Sequence, residues 1–191
     1  MNEGAKPEKT LKKELIFKAA EQLFNRYGIK RVTVEEICKT AEVSKMTFYK
    51  YFPNKMEILH HIWEGWIDEG CAILDKVDSL DISLPDKIDR MFKWKTDLLD
   101  KIGDVLLEDI MRLNLSLERS ITRFFEFIIN AQKRGEIRKD IKPEFLMTVL
   151  DRLYDLGNDE KLRSIYPNLL EFNREIKDFF WFGVMAGGDD R

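Results

Sequence analysis

The chain is expected to be all-α, for three reasons. Apolar residues recur three and four positions apart along most of its 191 residues, and no stretch alternates apolar with polar as a half-buried strand would. Helix start and stop signals bracket the periodic stretches, with Gly28, Pro53, Pro85, Gly135 and Pro143 at their edges. No internal repeat or low-complexity tract interrupts the pattern. About nine helices follow from this spacing: an N-terminal module of three, then a helical body.

The first helix is expected over about Thr10 to Tyr27, with Ile16, Ala20, Leu23, Phe24 and Tyr27 as its stripe and Gly28 ending it in a left-handed conformation. Residues 1–8 read as a frayed start, from which Lys6, Lys9, Lys12 and Lys13 form a basic arm near phosphates. Thr33 can cap a second helix while Glu36 reaches back to it, and Val34, Ile37, Cys38 and Ala41 give that helix one apolar face. Ser44 offers another cap. Pro53 stops the third helix because it disfavours helical geometry at Phe52 and has no N–H to donate.

A short helix, a tight turn and a second short helix is the layout of a helix-turn-helix. At about 100° per residue, Phe48 and Phe52 point together and pack inward with Val43. Met46 and Lys50 project the other way, flanked by Lys45, Thr47 and Tyr49. That outer face has a thioether, hydroxyls and ammonium groups and no carboxylate, a set suited to thymine methyls, base-edge acceptors and phosphate oxygens. An ordinary solvated face leaves the aromatics on both sides of so short a helix without a reason.

The body follows from Asn54, which can cap a fourth helix with Glu57 at its third position. Ile58, Leu59, Ile62, Trp63, Trp66 and Ile67 carry this helix toward Val77, so it links the module to the body. Asp78 to Ser83 is a connector. Pro85 opens a fifth helix with Ile88, Met91, Phe92, Leu98, Leu99 and Ile102; Gly103 interrupts; Val105 to Leu115 makes a short sixth. A seventh carries Leu117, Ile121, Phe124, Phe125, Ile128 and Ile129 to Arg134–Gly135. Ile137 and Ile141 fall in a turn-rich linker. The eighth starts at Pro143, with Leu146, Val149, Leu150, Leu153 and Gly157; the ninth, after Pro167, has Leu169, Phe172, Ile176, Phe179, Phe180 and Gly183.

Ala41 through Lys55 closely resembles the helix-turn-helix signature of TetR-family transcriptional regulators (TetR/AcrR type), and Ala19–Ala20 to Phe24, Tyr27–Gly28 and Thr33 to Ile37 fit the same pattern. The specific likeness covers about the first sixty residues, the scale of one small DNA-binding module. Glu42 stands in the turn where the family often has Gly, and Met46 where Gly, Ala or Pro is common, so the operator sequence does not follow by analogy. The resemblance implies that Tyr51 and Lys55 contact the DNA backbone. It also implies that the last two helices of two chains pair as a four-helix bundle.

These readings together name Thr33, Ser44, Lys45, Met46, Thr47, Tyr49, Lys50, Tyr51 and Lys55 as DNA-binding residues. Met46, Thr47, Tyr49 and Lys50 are the base readers, and Thr33, Tyr51 and Lys55 the phosphate contacts. Leu146, Val149, Leu150, Leu153, Ile176, Phe179, Phe180 and Gly183 are the expected homodimer contacts. Residues 1–53 are assigned to DNA and 54–191 to effector binding and dimerisation.

Charge supports this division. Residues 1–61 hold ten Lys and two Arg against eight Glu and no Asp, while the remainder is acidic, which accounts for a net charge of −3. With 44% hydrophobic and 35% charged residues the chain is globular. The longest apolar run, Phe179 to Ala186, is too short to span a bilayer, and the Lys- and Glu-rich start lacks the apolar core of a signal peptide, so the cytoplasm is the expected location. Cys38 and Cys71 make neither a disulfide framework nor a metal spacing, and Cys38 lies on an apolar face. His60 and His61 point about 100° apart and read as structural. No phosphate-binding Gly loop, nucleophile elbow or metal-binding His motif is present, so neither catalysis nor a cofactor is expected.

Trp63, Trp66, Met91, Phe92, Trp94, Met111, Phe124, Phe125 and Ile128 concentrate bulky side chains in the middle helices. Core packing accounts for each singly. As a group, and given the resemblance, they suggest a pocket for an apolar or aromatic effector; Glu64, Asp68 and Glu108 nearby would suit a cation against the Trp faces. The expected function is a homodimeric repressor released from a palindromic double-stranded operator by such a ligand. The alternatives are a DNA-bound protein acting through a protein partner, or an activator, without a small-molecule effector, and a helical ligand-binding or catalytic protein whose basic start is incidental.

Overall fold

In the computed structural model the chain runs α1 (Glu8–Tyr27), α2 (Val34–Thr40), α3 (Lys45–Tyr51), α4 (Lys55–Asp78), α5 (Leu84–Lys101), α6 (Asp104–Leu113), α7 (Glu118–Arg134), α8 (Pro143–Asp155), α9 (Glu160–Ile165) and α10 (Leu169–Val184). The structure describes residues 8–113, 115–156, 159–166 and 169–185; Lys6 of the basic arm and Gly157 of the α8 stripe lie outside them. The fold is all-α. The short α9 had no apolar stripe to announce it; Asp159 caps it by accepting the Leu162 N–H at 3.0 Å.

The chain forms two compact units. The first comprises α1, α2, α3, the start of α4 through Glu69, and Asp97–Ser116; the second comprises Gly70–Thr96 and the chain from Leu117 onward. The core of the first unit is Ile16, Ala20, Phe24, Ile37, Phe48 and Phe52, each fully buried, closed by Ile58, Leu59 and Ile62 of α4 and by Leu106 and Ile110 of α6. The N-terminal core therefore extends beyond α1, α2 and α3 to take in α4 and α6, which adds to the apolar surface it buries. Each buried Phe contributes about 1.5–3 kcal/mol relative to exposure.

Two polar contacts tie α6 to the end of α1. The buried Asp109 carboxylate accepts the Ile29 N–H at 2.8 Å, and Asn25 Oδ1 accepts the Gly103 N–H at 3.2 Å. Gly103 comes so close to α1 that a Cβ there would lie 2.3 Å from the Asn25 carbonyl oxygen. Gly28, at φ +78, makes the left-handed exit from α1 expected of it.

The second unit packs Leu74, Leu84, Ile88, Phe127, Ile128, Ala131, Leu146, Phe180 and Trp181. The Trp181 ring meets Phe124, Phe127 and Phe180 edge-on. Lys87, 2% exposed, donates to Glu136 at 3.0 Å, and Glu136 also accepts from Arg134 at 2.9 Å. Burial pushes the Glu136 carboxyl up, but its bonds to Arg134 and Lys87 outweigh that and hold it below the ordinary carboxylate range. Ile137, expected in a linker, is buried in this core: it forms an antiparallel bridge with Met185, and the Arg138 N–H donates to the Val184 carbonyl.

Burial divides the residues of α8 and α10 that were expected at a homodimer interface. Leu146, Ile176 and Phe180 are 2%, 6% and 4% exposed within a single chain, so they are committed to its own core. Phe179 and Phe182 are 75% and 76% exposed, and Gly183 lies on the same outward side. Four consecutive aromatics, Phe179 to Phe182, surround the helix, so the apolar pattern alone does not say which of them face in.

Candidate nucleic-acid interface

Local chemistry builds the helix-turn-helix. The Thr33 side chain accepts the Glu36 N–H at 3.2 Å, while the Thr33 N–H and hydroxyl donate to the Glu36 carboxylate at 2.7 and 2.8 Å; this is the capping box read from the sequence. Hydrogen bonds from the Thr33 backbone and side chain hold the Glu36 carboxyl below its ordinary range. After α2 the chain turns through Glu42, which stands at φ 53. The Val43 N–H returns to the Cys38 carbonyl at 3.0 Å and the Glu42 N–H to the Lys39 carbonyl at 3.3 Å, the Schellman closure of a helix end. Ser44 then caps α3 by accepting the Thr47 N–H at 3.1 Å. Phe52 is extended ahead of Pro53, which ends α3 as expected.

The two sides of α3 are sharply divided. Phe48 and Phe52 are fully buried, whereas Met46 is 82% and Tyr49 55% exposed, and Lys45 and Lys50 are exposed beside them. Thr47 is half-buried, and its hydroxyl lies 3.0 Å from the Ser44 hydroxyl. Lys45 pairs with Glu35 of α2, and their hydrogen bond lowers the Glu35 carboxyl and raises the Lys45 ammonium from their ordinary values. This carboxylate beside the outer face escaped the sequence reading because the pair joins two helices ten residues apart.

Other named residues also touch the frame. Tyr51 is half-buried against the first unit's core. The Lys55 ammonium donates to the backbone carbonyls of Ile29, Lys30 and Val32 at 2.6, 3.4 and 2.7 Å. Lys13 stands over the Phe52 ring, and His61 meets that ring edge-on. Burial pushes the Cys38 thiol up from its usual range, away from a reactive thiolate.

The nine residues assigned to an effector pocket divide between the units. Trp63, Trp66 and Met111 lie in the first; Met91, Phe92, Trp94, Phe124, Phe125 and Ile128 lie in the second. Trp63 and Trp66 meet edge-on, with the Trp63 indole N–H on the Ser116 carbonyl at 2.9 Å, while Met111 is 53% exposed. In the second unit Trp94 packs over Gly70, Phe124 stacks on Phe127, Lys177 stands over Phe92, and Ile128 is fully buried. Two open grooves are walled by other residues. One involves Leu23, Tyr27, Arg31, Glu36 and Lys39 of the first unit; the other runs from Leu74 and Asp78 to Arg123 and Arg134 in the second. Among the described residues no cluster of three or more His, Cys, Asp or Glu is placed to hold a metal, and no helix is long and apolar enough to cross a membrane.

Residues 16–62 match the family model described as bacterial regulatory proteins, tetR family. The chain is 25% identical over 156 residues to the HTH-type transcriptional regulator YhgD of Bacillus subtilis, covering 75% of this chain and 80% of that protein. It is 25% identical over 171 residues to the HTH-type transcriptional repressor DhaR of Mycobacterium strain GP1, covering 83% of each. Among solved structures it is similar to SmeT, the repressor of a Stenotrophomonas maltophilia multidrug efflux pump, with a TM-score of 0.70 at 21% identity over 92% of this chain and 91% of that one. A complex of SmeT with triclosan has a TM-score of 0.69 at 20% identity, with 93% of both chains covered. The helix-turn-helix of α2 and α3 and these similarities lead to one conclusion: the chain carries the N-terminal module of the tetR family of bacterial regulatory proteins and is a transcriptional regulator of that type.

Proposed function

We propose that this protein is a cytoplasmic, homodimeric repressor that reads a palindromic operator through α3 and leaves it when the body takes up a small apolar or aromatic ligand. The observation that carries the reading is the division of α3: two phenylalanines sealed in the core fix the helix, and Met46, Tyr49, Lys45 and Lys50 stand in solvent on the other side. Met46, Thr47, Tyr49 and Lys50 read base edges. Thr33, Tyr51 and Lys55 sit at helix ends, where they meet phosphates, and Ser44 lies beside them at the start of α3. Residues 1–53 form the DNA-reading part and 54–191 the effector and dimerisation part.

A dimer suits both ends of the chain. One module spans few base pairs, and two related by a two-fold axis read half-sites ~34 Å apart. The outward Phe179 and Phe182 of α10, with Phe145 of α8 also exposed, supply apolar surface for a second copy. Repression is favoured by the similarity to the repressors DhaR and SmeT, and an aromatic effector by the SmeT–triclosan complex. A ligand that prefers one setting of α4 changes the spacing of the two recognition helices, so ligand and operator weaken each other reciprocally. The chain is read as non-enzymatic.

The deciding experiment selects binding sites from random duplex DNA at physiological salt. A palindromic enriched site is expected, and Met46→Ala or Lys50→Ala should change the preferred sequence rather than affinity alone. No enrichment, or salt-fragile binding without symmetry, would overturn the repressor reading. The operator so obtained is then challenged with uncharged aromatic compounds, triclosan among them. Persistent binding with every one would point to an effector-independent regulator.

A further inference from the structure

We propose that Glu35 and Lys45 read one base pair together: Lys45 donates to guanine while the Glu35 carboxylate accepts from the amino group of the paired cytosine, so the two select G·C at one position of each half-site. The inference rests on the reading that α3 enters the major groove.

Glu35 belongs to α2 and Lys45 is the first residue of α3, so their ion pair lies at the N-terminal end of α3. The N-terminal residues of a recognition helix are the ones that reach base edges. Both side chains stay more than half exposed, and Tyr49, one turn along α3, continues the same exposed strip. A carboxylate in that place is repelled by phosphates and loses water on binding, so it weakens the complex unless the DNA offers it a donor.

The donors on base edges in the major groove are the amino groups of cytosine N4 and adenine N6. The adenine amino group lies between two acceptors, its own N7 and the thymine O4, and one ammonium covers only one of them. The cytosine amino group has a single acceptor beside it, the guanine O6, and Lys45 meets that one. Both partners keep capacity for this. The Lys45 ammonium has further N–H donors besides the one on Glu35 Oε1, and a carboxylate offers more acceptor positions than the Lys45 ammonium and the Glu35 N–H fill. Because the two groups already hold each other, donor and acceptor arrive side by side with little side-chain freedom left to lose.

The test uses full-length protein and the site it selects from random duplex DNA. Glu35→Ala and Lys45→Ala should each weaken the preference for G·C by about tenfold at the same position, and combining them should weaken it no further. Glu35→Gln should shift that position toward A·T, because an amide presents a donor beside its acceptor. A second measurement leaves the protein unaltered. Each cytosine of the selected site is replaced in turn by N4-methylcytosine, which still pairs with guanine but lacks the N–H that faces the major groove. One such replacement per half-site should weaken wild-type binding by about tenfold, and Glu35→Ala should bind that duplex and the unmodified one alike.

An even change of affinity across all sequences in Glu35→Ala would overturn the inference: a fall would make the pair a brace between helices, and a rise would make Glu35 a repeller of phosphates. So would a salt slope smaller by about 0.9 in Lys45→Ala with base preferences intact, which is the mark of a phosphate contact. If the variants do not fold, the wild-type comparison decides, and indifference to every N4-methylcytosine removes cytosine from the contact. A wild-type protein that selects no site brings down the regulator reading as well, whereas a selected site without these effects brings down the pair alone.

Discussion

Glu42 holds a left-handed backbone with a side chain at the turn on which the whole reading head depends. A non-glycine residue there costs about 1–2 kcal/mol, which the Schellman bonds and the surrounding core offset. Replacing it should therefore help the fold. Glu42→Gly is expected to raise stability by about 0.5–1 kcal/mol, after subtracting the extra freedom Gly gives the unfolded chain. Urea unfolding monitored by circular dichroism measures this, and a lower midpoint would show that the carboxylate has a stabilising partner worth more than the strain. The departure from glycine was visible in the sequence, and the structure added its left-handed backbone. The Glu35–Lys45 pair was not visible, because nothing local places residue 35 beside residue 45.

The helix ends that position the reading face are set by neighbours in sequence. Thr33 with Glu36, Ser44 with Thr47, Phe52 before Pro53, and Asn54, which accepts the Glu57 N–H, each act within a few residues, so the sequence reading placed the boundaries of α2 and α3 closely. The attachment of α6 is different in kind. Asp109 reaches Ile29 across 80 residues of chain, and Asn25 reaches Gly103 across 78. Asp109→Ala strands the Ile29 N–H in a buried turn and should cost about 1–3 kcal/mol. Asp109→Asn keeps an acceptor and should cost clearly less. Equal losses in urea unfolding would mean that the negative charge, rather than the hydrogen bond, does the stabilising.

At the scale of the whole molecule the proposal is a two-fold dimer reading two half-sites, and α10 supplies the test. Phe179→Ser with Phe182→Ser removes outward aromatic surface without entering the chain's own core. Sedimentation velocity should show a shift toward monomer, with weakened binding to a two-half-site duplex and an unaltered melting profile for the first unit. A variant that stays dimeric would place the interface elsewhere. Phe180→Ser, by contrast, should destabilise the monomer itself, since that ring is buried against Trp181.

The sequence by itself determined the helical class, the helix-turn-helix, its caps, and which side of α3 faces solvent. All of these follow from interactions spanning at most one or two helical turns, which the order of residues states directly. Tertiary structure decided the rest. It set the Lys55 ammonium on the carbonyls of residues 29, 30 and 32, brought α6 into the N-terminal core, and drew Ile137 out of a loop into the second core. It also chose Phe180 and Trp181 for the interior and Phe179 and Phe182 for the surface. These outcomes depend on which distant residue arrives opposite, and a period of 3.6 carries no information about a partner 50 or 80 positions away.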